Sequence, residues 1–261
     1  MFIKTPDLEI AYREQGQGEP IILLHGFGLN YHIWDPIVEA FQEKARFITP
    51  DLRGHGQSEV TEGTYSMDSL AADLAAFMDA LGIQRASVGG HSLGGYVALA
   101  FAAAYPERLS GLALITTNAR PDSPEKRQSR YELAQAVRLQ GAAALATSMG
   151  PRLSKHKTLI DALSLMISLT HPQGVIGAAL GMAERPDRMD TLQTLTCPIL
   201  VVAGEEDMIT PLPASQEMAE ANPQAKLLLL PGAGHMPMLE APLSLGEALL
   251  ETLQFNREGQ A

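Results

Sequence analysis

Gly90-His91-Ser92-Leu93-Gly94 decides how this chain is read. Ala86-Ser87-Val88-Gly89 precedes it, a short run that reads as a strand, and Leu93 to Ala104 follows as an Ala-rich apolar helix. A serine between a strand and a helix sits on a sharp turn that forces its side chain out of the sheet and strains the backbone. The glycines two positions to either side leave room for that turn. The hydroxyl then stands near a helix N-terminus, whose free N–H groups face a developing negative charge. G-x-S-x-G alone recurs by chance as an ordinary glycine turn. Its placement between strand and helix makes Ser92 a candidate nucleophile.

Strand and helix signals alternate on both sides of this turn. Leu8 to Arg13 is extended, and Ile21 to Leu24 is a continuous apolar run closed by His25-Gly26. Asn30 can cap a helix carrying Trp34, Ile37, Val38 and Phe41 on one face. Arg46 to Thr49 is the next strand, stopped by Pro50. Ser66, the stripe from Met67 to Leu81, and Gly82 give an N-cap, an amphipathic face and a C′ glycine in order. Leu109 to Thr116 is another strand. From Ala119 to about Thr196 no strand pattern appears. Pro121, Pro124, Pro151, Pro172 and Pro186 punctuate an Ala-, Leu- and Met-rich stretch that reads as a helical insertion. Alternation then resumes, with a strand over Pro198 to Ala203, a helix over Pro213 to Ala221 and a strand over Lys226 to Leu230. A last helix starts at Pro242, with Leu245, Leu249 and Leu253 on one face. Strands separated by helices imply parallel pairing with helices on both faces.

A serine nucleophile needs a base, and the chain has seven histidines. His235 follows the last strand in Pro231-Gly232-Ala233-Gly234-His235, a loop able to reach across the strand ends. His91 adjoins the serine, but neighbours on a sharp turn point apart, so it is expected to shape the site. His25 is expected to pin the loop it opens, and His55 to hold a turn. The base needs a carboxylate to orient it and stabilise its protonated form. Asp207 lies just past the strand ending at Ala203. Glu205 and Glu206 compete for the role but lie nearer the strand end, where solvent is expected. Backbone N–H groups of Leu93 and of Phe27, in His25-Gly26-Phe27-Gly28, are the expected oxyanion donors. The order Ser92, Asp207, His235 completes the pattern.

Composition narrows the remaining classes. The chain has 261 residues, 46% hydrophobic and 19% charged, with a net charge of −11. Those are globular values. The acidic balance argues against nucleic acid as a partner, since phosphate backbones need clustered Lys and Arg. Cys197 is the one cysteine, which excludes an internal disulfide framework; it is expected to be small and buried. No H-E-x-x-H or comparable spacing occurs, so no metal is expected. The N-terminus lacks a signal-peptide pattern and no apolar run approaches a bilayer span, so a cytoplasmic protein without membrane contact is expected, monomeric or homodimeric.

These motifs together resemble the α/β-hydrolase superfamily over nearly the whole chain. His25 to Gly28, Asp51-Leu52-Arg53-Gly54-His55-Gly56-Gln57-Ser58, the serine turn, the Asp207 loop and Gly234-His235 fall in its order. The resemblance implies an α/β fold, with a mostly parallel central sheet, flanking helices and a helical cap. Residues 1–118 and 197–261 would form the core, and 119–196 a cap that is not an independent domain. It also implies a cofactor-free serine hydrolase acting on small to medium carboxylic esters through an acyl-enzyme. Thr116-Thr117-Asn118-Ala119-Arg120 and the cap look somewhat like the 3-oxoadipate enol-lactonase branch, and the serine turn like small carboxylesterases. An enol-lactonase or C–C bond hydrolase is therefore the main alternative, ahead of a cofactor-free perhydrolase or a non-catalytic ligand receptor. A carboxylate substrate would call for a cation such as Arg120, Arg152 or Arg185, although the acidic surface modestly disfavours anions. Leu145, Met149, Leu165, Met166, Ile209 and Met236 are the candidate pocket lining.

Overall fold

Runs of apolar residues with no polar alternation belong to strands covered on both faces, and Ile21 to Leu24 and Ile199 to Ala203 are of that kind. The computed structural model describes residues 1–253. Its strands are β1 (Phe2–Lys4), β2 (Glu9–Gln15), β3 (Pro20–Leu24), β4 (Arg46–Pro50), β5 (Ala86–His91), β6 (Leu109–Ile115), β7 (Ile199–Gly204) and β8 (Ala225–Leu230). They form one sheet in the order β1-β2-β4-β3-β5-β6-β7-β8. β1 and β2 run antiparallel to their neighbours; from β4 to β8 every pairing is parallel. Every residue of β3, β5 and β7 is buried, whereas β8, at the edge, keeps Leu227 and Leu229 exposed.

The helices among the described residues are α1 (Asp35–Phe41), α2 (Met67–Ala80), α3 (Leu93–Ala104), α4 (Pro124–Gln140), α5 (Ala143–Leu153), α6 (Lys157–Ser168), α7 (Pro172–Ala183), α8 (Met189–Thr194), α9 (Leu212–Glu220), α10 (Pro237–Glu240) and α11 (Pro242–Leu253). Ser66 caps α2 by accepting the Ser69 N–H, and Gly82 beyond it has φ +70°. Asn30 does not cap α1. Its side chain accepts the His32 N–H and starts a single 3₁₀ turn over Tyr31–Trp34. Pro36, in the first turn of α1, sets that helix's start, where a fixed φ and a missing N–H cost least. Pro151 does not break the insertion either: it lies in the last turn of α5, where one hydrogen bond is lost rather than a helix. β1 and α10, of three and four residues, are too short to leave a periodic signal. Cys197, expected buried, is half-buried.

The chain leaves β6, runs through α4 to α8, and returns as β7 directly beside β6. Within this inserted segment α4 packs on α7 and α5 on α6, while α8 packs on α3. The order of strands reverses between β3 and β5, and in such sheets the crevice at the carboxyl ends is where ligands bind. The loops after β3, β5, β7 and β8 all emerge at that edge. No single helix among the described residues is long and apolar enough to cross a membrane.

The start of α3 is pressed against the end of β3. A Cβ on Gly94 would come within 2.5 Å of the Leu24 carbonyl oxygen and 2.8 Å of that of His25. Backbone cannot yield as a flexible side chain does, so Gly94→Ala should lower stability by about 1–3 kcal/mol in urea unfolding. A midpoint and slope equal to wild type would contradict this close approach.

Candidate active site

Ser92 is the one residue between β5 and α3, with φ 51° and ψ −111°, a region non-glycine residues rarely occupy. Its own backbone holds it there. The Ser92 N–H donates to Ile115 O at 3.0 Å, and its carbonyl accepts the Gly95 N–H at 3.0 Å. The side chain is half-buried, and Leu93, behind it, is fully buried as the first residue of α3. The Leu93 amide therefore belongs to the first helical turn, where N–H groups have no partner within the helix.

His235 lies on the loop after β8, and its Nδ1 donates to Asp207 Oδ2 at 2.8 Å. Both side chains are at most 2% exposed. The other Asp207 oxygen accepts the N–H groups of Ile209 at 2.7 Å and Thr210 at 3.0 Å. With Nδ1 committed to the carboxylate, Nε2 is the ring nitrogen left for chemistry. Glu205 and Glu206 face solvent, the first accepting from Gly232 N–H and the second paired with Lys155.

His91 Nε2 lies 2.9 Å from the His235 carbonyl oxygen, so that nitrogen carries the proton. Nδ1 of His91 is buried without a partner and faces Gly26, where a Cβ would come within 2.5 Å of it. His91 therefore spans from the Phe27 loop to the His235 loop, with its ring centroid 4.8 Å from that of His235. His25 is fixed as the Nδ1 tautomer: Nδ1 donates to Gly26 O at 2.8 Å and Nε2 accepts the Leu52 N–H at 2.9 Å. His55 Nδ1 donates to Arg53 O at 3.0 Å and holds the turn. Asp51 braces the same region by accepting the N–H groups of Tyr31 and Gln57.

The expected lining residues divide. Leu145 is buried against the Phe27 loop, and a Cβ on Gly28 would meet its Cδ2 at 2.7 Å. Met149 and Met166 are half-buried against the core, Met166 beside a cavity of about 140 Å³ that also touches Asp51 and Thr170. Leu165 is 61% exposed. It lies two residues from each of Leu163 and Ile167, the buried face of α6, and so about 200° around the helix. Met236 is fully buried, and its N–H donates to Glu240 Oε2. Arg120 pairs with Asp187 and Glu217 on the surface, Arg152 reaches Met208 O, and Arg185 is buried against Asp122 and the Tyr96 ring.

Glu240 was not apparent from sequence. Its carboxylate accepts the Gly234 N–H at 2.7 Å and the Met236 N–H at 3.3 Å, gripping both sides of His235, and accepts the Ser154 hydroxyl at 2.6 Å. A carboxylate five residues past a loop histidine was the available signal. The inserted segment also meets these loops directly, with His235 N–H donating to Leu153 O at 3.1 Å and the Thr170 hydroxyl donating to Gly28 O at 2.8 Å. Among the described residues no group of three or more His, Cys, Asp or Glu is placed to hold a metal ion.

Comparison with known proteins agrees with this fold. The family model for the alpha/beta hydrolase fold matches residues 19–242. A thermophilic esterase from Thermogutta terrifontis, whose structure has malate bound, is 41% identical with a TM-score of 0.92, covering 96% of each chain. The enol-lactonase from Burkholderia xenovorans is 27% identical with a TM-score of 0.89, covering 97% of this chain and 100% of that one. A pimeloyl-[acyl-carrier protein] methyl ester esterase from Chromobacterium violaceum is 32% identical over 92% of this chain and 96% of its own.

The buried histidines make acid stability a test of the site. Desolvation pushes His25 down from 6.5 to about 3 and His55 to about 4, and lowers His91 as well. The folded chain keeps them neutral, whereas the unfolded chain protonates them below 6.5, so their contribution is lost as pH falls below that value. Asp51 acts oppositely: burial raises it from 3.8 to about 6, so protonating it in this range favours the fold. Three histidines outweigh one carboxylate, so the calorimetric unfolding temperature should fall by several degrees from about pH 7 to about pH 4.5. An unchanged or higher value at the acid pH would contradict neutral burial of these rings.

Proposed function

The chain belongs to the alpha/beta hydrolase fold family, and on that premise we propose that it hydrolyses small to medium carboxylic esters with Ser92 as nucleophile, His235 as base and Asp207 as the base's orienting carboxylate. The observation that carries this reading is the buried 2.8 Å hydrogen bond from His235 Nδ1 to Asp207, beside a serine held at φ 51° on a strand-to-helix turn. Esterases among the similar proteins support ester hydrolysis as the reaction class.

In the proposed reaction His235 Nε2 takes the Ser92 hydroxyl proton as Oγ attacks the ester carbonyl carbon. The N–H groups of Phe27 and Leu93 hold the resulting oxyanion; each such donor is typically worth about 3–4 kcal/mol in the transition state. The C–O bond to the alcohol breaks, and His235 returns its proton to the leaving oxygen. Water then attacks the acyl-enzyme, His235 accepts a proton from it, and the acid departs as Ser92 regains its hydrogen. No step calls for a cofactor. The inserted helices serve as the cap: Leu145 and Ile167 crowd Gly28, which limits the acyl group that fits.

A second reading, a lactone bearing a carboxylate, draws on Arg130. Its guanidinium carbon lies 6.0 Å from the Phe27 ring centroid, and Nε donates to buried Asp122 at 3.1 Å. Among the described residues its two Nη groups make no hydrogen bond, leaving them available to an anion near the oxyanion loop. The enol-lactonase among the similar structures supports the same class.

One assay series separates these possibilities. Across p-nitrophenyl esters, kcat/KM should peak at short to medium acyl chains, and Ser92→Ala should lower it by about 10³-fold or more. A peak at long chains would contradict the pocket assignment, and near wild-type turnover by Ser92→Ala would contradict the nucleophile. A carboxylated lactone turned over faster than any ester would favour the second reading.

A further inference from the structure

The segments bearing Ser92, Asp207 and His235 leave β5, β7 and β8, yet all three meet the end of β6, a strand that carries none of them. Ile115 O accepts the Ser92 N–H at 3.0 Å. Thr117 Oγ1 donates to the Ser92 carbonyl at 2.7 Å. Thr116 Oγ1 donates to the His235 carbonyl at 3.2 Å, and Thr116 O accepts the hydroxyl of Thr210 at 3.2 Å. Thr210 is one of the two residues whose N–H groups hold Asp207. Both Thr116 and Thr117 are fully buried.

The backbone at this point is unfavourable for the residue it carries. Thr116 has φ 43°, and apart from Ser92 it is the one non-glycine residue with positive φ among the described residues. A β-branched side chain is poorly suited to that region, where glycine would be unstrained. Strain of this kind persists where surrounding structure over-determines it, typically at functional sites. Here the strained residue touches two of the three loops, and its neighbour touches the third.

The hydrogen bonds also converge on one peptide. The His235 carbonyl accepts His91 Nε2 at 2.9 Å and Thr116 Oγ1 at 3.2 Å, which occupies both lone pairs. The His235 N–H donates to Leu153 O, and Nδ1 to Asp207. The imidazole therefore hangs from a peptide fixed at both ends. On the Ser92 side, Thr117 packs against the first turn of α3 so closely that a Cβ on Gly95 would lie 2.5 Å from its Oγ1.

We propose that Thr116 and Thr117 are positioning residues, which hold the peptides of His235 and Ser92 in mutual register from the end of β6. The proposal rests on the reading of Ser92, Asp207 and His235 as the catalytic group. The hydroxyls touch no substrate; they fix where the base and the nucleophile point. A displacement of about 1 Å in such an arrangement can cost about 10²-fold in rate.

The test compares full-length wild type, Thr116→Val, Thr116→Ser, Thr117→Val and Ser92→Ala on p-nitrophenyl butyrate, with thermal unfolding of each. Valine keeps the branched shape at the same φ and deletes only the donor; serine keeps the donor. Thr116→Val should lower kcat by about tenfold or more with KM changed less than about twofold, while Thr116→Ser stays within about threefold of wild type. A kcat for Thr116→Val within about twofold of wild type overturns the proposal, as does a serine variant as slow as the valine one. If Thr116→Val does not fold, Thr117→Val decides on the same criteria. Turnover retained by Ser92→Ala would instead overturn the underlying reading, whatever the threonine variants do.

Discussion

Ser92 is held with φ 51° and ψ −111°, and the surrounding structure must supply what keeps it there. A residue in this region costs of order 1–3 kcal/mol. Its N–H is tied to β6 and its carbonyl to the first turn of α3, while Gly94 lets that helix press against the end of β3. The turn is thus held by two strands, β6 and β3, and by the first turn of α3. In return, the serine side chain stands free of the sheet at the one edge where the loops after β3, β5, β7 and β8 converge. A flatter turn would bury the hydroxyl in the strand and leave the helix N-terminus without a substrate oxygen to face.

Around that turn three histidines, His25, His55 and His91, are buried in the neutral form. His25 joins two backbone groups through its two nitrogens, while His55 and His91 each hold one carbonyl. The main buried charge beside the candidate base is Asp207, satisfied by two backbone N–H groups and by His235. A buried carboxylate so paired favours the protonated ring opposite it, which is what proton transfer from Ser92 would create. The inserted helices add the remaining wall. Leu153, Ser154 and Thr170 bond to the His235 loop, to Glu240 and to Gly28, so the inserted segment and the sheet's loops are joined at the candidate site itself.

Much of this was legible in sequence because its causes are local. β3 and β7 are buried on both faces and show as unbroken apolar runs; α2 shows its cap, stripe and glycine together. Ser92, Asp207 and His235 follow strands, and strand ends in a parallel sheet share one edge. What sequence did not disclose depends on distant partners or helical phase. Leu165 and Met166 are adjacent in the chain, yet one faces solvent and the other the core, because the insertion's packing sets the rotation of α6. Thr116 acts through a bond to a residue far away in the chain, and no spacing rule signals a hydroxyl aimed at a remote carbonyl. Asn30 carries a capping side chain but serves a 3₁₀ turn, since Pro36 claims the helix start.

The central claim is that one serine, and no other nucleophile in this chain, is activated. Covalent labelling with a p-nitrophenyl phosphonate ester, followed by mass spectrometry of the digested protein, tests this directly. The proposed function predicts a single phosphonyl group bound to Ser92 per chain, one equivalent of p-nitrophenol leaving as the bond forms, and no labelling once His235 is replaced by alanine. Label on any other residue, or undiminished labelling of Ser92 without His235, would contradict it.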